Sequence, residues 1–560
     1  MNAKLLLEVY ERISEAPDAI TRLRRFVLDL AIRGKLVEQD ATDEPAHMQL
    51  TRISNFRSQT PTKGRKGKKK LVDPTLTEIS FDLPEGWEQA PLSELLRVVN
   101  GRAFKKTELL SEGTPVLRVG NLFTSNHWYY SDLSLDEDKY CDAGDLIYAW
   151  SASFGPFIWS GPRAIYHYHI WKLPLFSDAD LSKQYIYLYL LQKTREIKDA
   201  GHGISMIHMT KEKMEQLAVP LPPLAEQHRI VAKVDELMAL CDRLEEARKA
   251  REETRNKLTA ASLARLTAPD TTPEDFPAHA RFALDTLPAI TSRPDQVKSL
   301  RQTILNLAVR GKLVEQNAED EPASDLLVKI GADKNKMRSA KVVAPDLPFV
   351  LPEGWASASV QDTLMRDREI SYGVIKLGAE PKSGGIPTLR CSDVRPGFID
   401  ERKVRKVQED IEAQYIRTRL VGGEVLINIR GTLGGVAEVP KKMAGYNIAR
   451  EVAVIPVSNQ MSARYIVYLM LSPFFWDHIQ GNLRGIAYKG LNLGTLRALP
   501  IPIPPLAEQH RIVAKVDALL ALCDWLDAAL TSADTTRTHL LEALLHEALN
   551  PTEKELEAAE

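Results

Sequence analysis

Histidine, cysteine and paired carboxylates are the side chains from which a chain like this would build a reaction centre, and here none falls into a reactive pattern. The four cysteines, Cys141, Cys241, Cys391 and Cys523, form no CxxC pair, and the 12 histidines show no metal-ligand spacing. The four cysteines are expected to be buried, reduced thiols. Adenine methylation would need an Asp/Asn-Pro-Pro-Tyr/Phe loop to hold a flipped base; Asp346-Leu-Pro-Phe349 lacks the second residue. GRAFKKT at Gly101 has the wrong spacing and ending for a phosphate-binding loop. Carboxylate–lysine pairs that mimic a nuclease site are common at 26% charged residues. No catalytic residue, metal site or bound cofactor is therefore expected, and the chemistry left to the chain is non-covalent recognition.

The elements that must position such recognition are repeated. PPLAEQHRIVAKVD occurs at 222–235 and again, unbroken, at 504–517. After each copy, apolar residues recur four and three apart: Ile230, Val234, Leu237, Cys241 and Leu244, then Ile512, Val516, Leu519, Cys523, Leu526 and Leu530. That spacing puts one apolar stripe along a helix facing another helix, although a stripe of this kind equally suits ordinary core. The prolines suit a first turn, so the helices are predicted to start near Leu224 and Leu506. About forty residues at about 1.5 Å each make a rod roughly 60 Å long.

A second repeat precedes each globular stretch. AIRGKLVEQ at 31–39 returns as AVRGKLVEQ at 308–316. Upstream, Ile20, Leu23, Val27 and Leu30 match Val297, Leu300, Ile304 and Leu307, predicting amphipathic helices that end at Gly34 and Gly311. LPEGW at 83–87 returns at 351–355. The predicted order is an N-terminal helical segment (1–50), a basic linker (51–80), a globular domain (81–221), a central long helix (222–268) and a Pro-rich connector (269–294). A second helical segment (295–330), a linker (331–348), a second globular domain (349–503), a C-terminal long helix (504–550) and a tail (551–560) follow. Two such units can pack about a pseudo-twofold axis, with the middle helices paired and the two terminal segments meeting.

At 560 residues and 44% hydrophobic content the chain can bury several cores. No apolar run approaches a membrane span, and Met1–Tyr10 is too short for a secretory signal, so a cytoplasmic protein with no membrane partner is expected. A net charge of −2 gives no global nucleic-acid signal. KGRKGKKK at Lys63–Lys70 is the local exception, and it suits both a solvated linker and a non-specific grip on phosphates.

The globular stretches have diverged further than the helices but keep a common frame. Gly113-x-Pro115-x-Leu117-Arg118 aligns with Gly385-x-Pro387-x-Leu389-Arg390, GDLIYAWSASFG with GEVLINIRGTLG, and HIWKLPL with EVAVIPV. Strands followed by helices at Tyr185 and Tyr465 predict an α+β fold. The whole is then two mixed α/β domains separated by long paired, coiled-coil-like helices in a pseudo-twofold repeat. Invariant helices beside divergent domains suit two copies of one partner and two different targets; uneven drift after duplication would leave the same pattern.

Two variable domains, each closing on P-x-PPLAEQ-x-RI and carrying the inner motifs GTPVLRVGNL and GGIPTLRCSDV, resemble the DNA specificity subunit of type I restriction-modification systems. The resemblance implies that each domain is a target recognition domain for one half of a bipartite site in double-stranded DNA. It implies helices that set the spacer and dock two methyltransferase subunits, and two restriction and motor subunits that complete the complex. S-adenosylmethionine, ATP and Mg would belong to those partners, which would methylate adenine or restrict unmethylated DNA. A protein-assembly adaptor without DNA contact is the alternative.

Groove readout needs donors and acceptors on loops held by a rigid domain. Candidates in the first domain are Lys105, Lys106, Arg118, Asn121, Ser151, Ser153, His202, Ser205, His208 and Lys211. The second offers Arg390, Asp393, Arg430, Thr432, Arg484, Tyr488, Lys489 and Asn492. Arg118 and Arg390 equally suit buried ion pairs, and the turns at Gly155 and Gly434 plain hairpins. For partner docking, the polar helix face offers Glu226, Gln227, Arg229 and Lys233 with Glu508, Gln509, Arg511 and Lys515.

Overall fold

The computed structural model describes residues 15–59, 78–151, 154–200, 209–268, 272, 274–291, 293–333, 346–483 and 490–549. Two compact units emerge, one formed by 1–250 with 534–560 and the other by 251–533.

In the first unit, helix α1 (Ala19–Ile32) buries Phe26, Val27, Leu28 and Leu30. It stops where Gly34 takes φ +68°, allowing Lys35 N–H to reach back to Leu30 O at 2.9 Å. Helix α2 (Ala46–Gln59) then occupies the start of the expected linker, burying Ala46, Gln49 and Ile53. The Lys63–Lys70 run lies outside the described residues.

The domain that follows is tied shut at its base. Strand β1 (Glu88–Pro91) pairs antiparallel with the last strand, β10 (Ala218–Leu221), from Glu88↔Leu221 to Pro91↔Ala218. Between them lie two four-stranded sheets. One runs in the order β2 (Val99–Asn100), β9 (Ile170–Lys172), β6 (Leu146–Ala149), β7 (Gly155–Ile158); the other runs β4 (Tyr129–Ser131), β3 (Thr114–Leu117), β8 (Ala164–Tyr166), β5 (Tyr140–Cys141), with β3 and β8 parallel. Helix α3 (Lys183–Ala200) packs Tyr185, Ile186, Tyr189 and Leu190 into the core with Tyr148 and Trp171.

Long helix α4 (Leu224–Thr267, 44 residues) begins directly after β10, as the proline pair predicts. Ile230, Val234 and Cys241 of the seam are buried. Within this unit α1 binds two long segments: Arg24 contacts Asp242 and Glu245 at 2.6 and 2.7 Å, and Arg22 contacts Glu542 at 2.6 Å. Phe26 and Leu30 pack with Leu541 and Leu545, so the two terminal segments do meet.

The second unit repeats the plan. The Pro-rich connector is largely helical: α5 (Phe276–Ile290) places Phe276, Ala280 and Ala283 against Leu263, Leu266 and Leu307, and that burial outweighs the proline signal, Pro277 sitting in the first turn. Helix α6 (Pro294–Val309) is held to the second half of α4 by Arg293–Glu252 at 2.5 Å. It meets long helix α10 (Leu506–Leu549, 44 residues) through Arg301–Asp524 at 2.6 Å. Helix α7 (Ala323–Asp333) follows, and strand β11 (Ala356–Ser359) pairs with β21 (Pro500–Ile503) as β1 does with β10.

Inside, β12 (Ser371–Tyr372), β20 (Val452–Ile455), β17 (Val425–Asn428) and β18 (Val436–Glu438) form one sheet in that order. A second holds β16 (Arg405–Val407), β13 (Ile386–Leu389) and β19 (Asn447–Ile448), with β13 and β19 parallel like β3 and β8, and β14 (Val394–Arg395) pairs with β15 (Phe398–Ile399). Helices α8 (Ala463–Leu471) and α9 (Pro473–Leu483) pack on the core, and the fold is α+β throughout.

Cys141, Cys241 and Cys523 are buried, whereas Cys391 is half-buried. Burial pushes the Cys141 thiol up to about 12. Among the described residues no group of His, Cys, Asp or Glu could hold a metal, and no helix is long and apolar enough to cross a membrane.

Candidate nucleic-acid interface

The two repeated motifs find each other. Trp87 of LPEGW donates its indole N–H to Glu226 of PPLAEQ at 2.9 Å, and Trp355 donates to Glu508 at the same distance. Gln227 accepts from Ser182 N–H and donates to Pro222 O, both at 2.9 Å; Gln509 accepts from Ser462 N–H at 3.0 Å and donates to Pro504 O at 2.9 Å. Arg229 pairs with Asp43 and Arg511 with Asp320, each at 2.6 Å.

These contacts correct the expected docking face. Glu226, Gln227, Glu508 and Gln509 are buried, and Arg229 and Arg511 are engaged within their own units. Their identity in both copies reflects a shared joint between domain and helix. Of that face Lys515 stays exposed, and Lys233 pairs with Glu236 of its own helix at 2.9 Å.

Burial raises the carboxyl of Glu226 above the usual range, against the opposing pull of Trp87 and Arg229. A raised folded-state value means a stabilising contribution that is full below the ordinary carboxylate range and lost as pH rises through the raised one. Glu226→Gln keeps an acceptor for Trp87 without a buried charge. Its melting temperature should exceed that of the parent at about pH 8, with the gap closing by about pH 4; equal gaps at both values in a thermal melt would refute this.

At the opposite ends of the sheets both domains build one backbone crossing. In the first, His167 N–H reaches Leu117 O at 2.9 Å, Tyr168 N–H reaches Arg102 O at 2.9 Å, Arg102 N–H reaches Tyr166 O at 3.0 Å and Ile170 N–H closes on His167 O at 2.8 Å. In the second, Ala449 bonds Leu389 at 2.8 Å, Arg450 bonds Val374 at 2.9 Å, Val374 bonds Ile448 at 2.8 Å and Val452 closes on Ala449 at 3.0 Å. A strand end completes each: Trp150 N–H to His169 O at 3.0 Å, and Ile429 N–H to Glu451 O at 2.9 Å. The close approach needs glycine, since a Cβ on Gly101 would lie 2.3 Å from His167 O and one on Gly373 1.8 Å from Ile448 O.

What the crossing presents differs. His167-Tyr168-His169 sits among rings: Trp150 meets His169 edge-on at 5.1 Å, stacks on Trp171 at 5.6 Å and donates its indole N–H to Tyr168 O at 2.8 Å. Burial, with His169 and Arg118 nearby, pushes His167 down to about 4, so it is neutral near pH 7 and able to donate and accept. The equivalent segment in the second domain is Ala449-Arg450-Glu451, with exposed Arg430 alongside.

The sequence-predicted residues divide. Lys105, Lys106, Arg430 and Thr432 are exposed, and Ser151 is half-buried beside Trp150. Lys211 pairs with Glu215 at 3.5 Å. Asn121 and Asp393 are corrected, because both close a turn after their strand, accepting from Arg118 N–H at 3.2 Å and Arg390 N–H at 2.9 Å. Arg390 makes an ion pair with buried Asp393, and Arg118 lies over the Tyr129 ring at 4.2 Å. Asn492 is exposed but its side-chain oxygen caps the helix Leu493–Ala498. Ser153, His202, Ser205, His208, Arg484, Tyr488 and Lys489 lie outside the described residues. Sequence reasoning missed Trp150, His167–His169, Arg450 and Glu451, although the aligned strands HIWKLPL and EVAVIPV mark their position.

Two segments, 84–253 and 374–531, match the type I restriction modification DNA specificity domain. The chain is 27% identical to the EcoEI type I restriction enzyme specificity subunit of Escherichia coli, over 95% of this chain and 94% of the relative, and equally to the EcoAI subunit. Identity to the EcoBI subunit is 24%, over 86% and 89%. Among solved structures, the HsdS subunit of Thermoanaerobacter tengcongensis is 17% identical with a TM-score of 0.40, covering 85% of this chain and 99% of that one. A chain from a study of type I R-M assembly and conformational transition gives 18% and 0.48, covering 84% and 99%. With more than half of its length matched in two copies, the chain belongs to the family of type I restriction-modification DNA specificity subunits.

Proposed function

We propose that this chain directs adenine methylation and restriction by reading a bipartite, asymmetric site in double-stranded DNA, one half per domain. The observation that carries this is the crossing: one backbone frame presents His-Tyr-His with tryptophan in one domain and Ala-Arg-Glu with arginine in the other. A shared frame with unlike donors suits two different half-sites. The long helices α4 and α10 set the spacer between halves and dock two methyltransferase subunits, with Lys233 and Lys515 as candidate contacts. Methyl transfer with S-adenosylmethionine, and ATP- and Mg-dependent restriction by two further subunits, take place in those partners, in the cytoplasm.

The experiment is a genome-wide map of methylated adenine in cells producing the whole complex, with residues 349–503 exchanged for those of another family member. One half of the methylated motif should change and the other stay fixed; an unchanged map would sink the reading. Binding to duplex DNA should also weaken roughly tenfold or more for a fourfold rise in salt, as phosphate contacts release counterions. The adaptor alternative expects binding to be absent or insensitive to salt.

A further inference from the structure

We propose that Arg450 is the specificity-determining residue of the second domain, reading guanine in one half of the target through its guanidinium fork. This rests on the reading that each domain contacts DNA.

Several arginines of this domain are held by carboxylates: Arg368 by Glu424, Arg390 by Asp393, Arg402 by Asp400 and Arg419 by Glu412. Arg450, like exposed Arg395, Arg417 and Arg430, is not among them. It is exposed, and among the described residues no carboxylate, carbonyl or ring engages its guanidinium. Its backbone is the opposite of free. The amide bonds Val374 O at 2.9 Å, the preceding amide bonds Leu389 O at 2.8 Å, and the chain on either side is pinned by Val452 N–H on Ala449 O and Ile429 N–H on Glu451 O.

An unengaged donor fork on an over-determined backbone is what base readout requires. Two parallel N–H groups match the O6 and N7 acceptors of guanine in the major groove, and a fixed attachment point lowers the entropy lost on binding. A solvated surface arginine needs no such support. The frame is costly in sequence terms, since Gly373 must lack a Cβ for β12 to approach Ile448. The first domain keeps the frame, with Gly101 in the same role, but puts Tyr168 at the equivalent position, so the frame and the presented side chain vary independently.

The test uses the full chain with its methyltransferase and restriction partners, carrying Arg450→Ala or Arg450→Lys, and maps methylated adenine genome-wide beside the 349–503 exchange. Arg450→Ala should relax one base pair of the half-site assigned to 349–503, by about 5- to 150-fold in discrimination, and leave the other half unchanged. Lysine, a single point donor, should restore the charge but only part of the preference. A motif unaltered in both halves by Arg450→Ala, while the exchange alters one half, overturns the role of Arg450 alone; an exchange without effect overturns the domain reading itself. If Arg450→Ala abolishes methylation, the complex is titrated with duplexes carrying each base pair at each position of the parental motif. A loss confined to one guanine-bearing pair upholds the proposal, and an equal loss on every duplex makes Arg450 a phosphate contact and overturns it.

Discussion

Replacing Trp355 by alanine is expected to destabilise the second unit by about 3–5 kcal/mol, the range for removing a buried tryptophan or phenylalanine. Two effects add. The ring is only 9% exposed and packs into the core beside Ala358 and Ile501, and Gly311 at the end of α6 turns tightly against it. Its indole N–H is also a donor to Glu508, a carboxyl already raised by burial, which would keep only Gln316 at 3.1 Å. Trp355→Phe separates the two by retaining most of the packing and losing the donor, so about 1.5–3 kcal/mol should remain lost. Chemical denaturation followed for each unit measures both, with Trp87→Ala as the counterpart in the first. A Trp355→Ala chain within about 1 kcal/mol of the parent would show that the joint between motif and helix contributes little.

Gly373→Ala should remove sequence discrimination by the second domain while leaving the first intact. The added methyl would sit 1.8 Å from Ile448 O, a backbone atom that cannot swing aside as a side-chain tip can. The strands must separate, taking with them the Val374–Ile448 and Arg450–Val374 bonds that hold the presented segment. Overpacking of this kind costs about 1–3 kcal/mol or more. The readout is again the methylated motif, with loss of one half expected, joined by a lowered melting temperature. Gly331→Ala is the control: it lies in α7 with nothing within 4 Å of the new Cβ, and should be neutral or stabilising by about 0.5–1 kcal/mol. If both variants leave the motif intact, the crossing does not orient the reading segment.

Periodic burial made the helical frame readable. Leu224 and Leu506 start their helices as predicted because proline and the apolar seam agree there, and Gly34 and Gly311 end theirs with positive φ. Helix α2 escaped because its buried face is Ala46, Gln49 and Ile53, with only one large apolar residue to signal a stripe. Glu226 and Gln227 were misread because charge and polarity suggest exposure, while the groups that make their burial tolerable, Trp87 and Ser182, lie far away in sequence. Asn121 and Asp393 were misread for the opposite reason: the partner is three residues away, and the bond is the familiar one of a turn-closing side chain. The aligned strands that follow Tyr168 and Arg450 mark their position, but how these two are presented emerges only when two sheets and a glycine contact are assembled, which is tertiary information.

The antiparallel pairs β1–β10 and β11–β21 place the entry and exit of each domain side by side. Whatever lies between them begins and finishes at one point of the helical frame. The enclosed stretches, 88–221 and 356–503, already differ in length by 14 residues without altering that base. Selection can therefore change the length of a domain's interior, away from the residues that pack on the frame, without displacing the helices at its base.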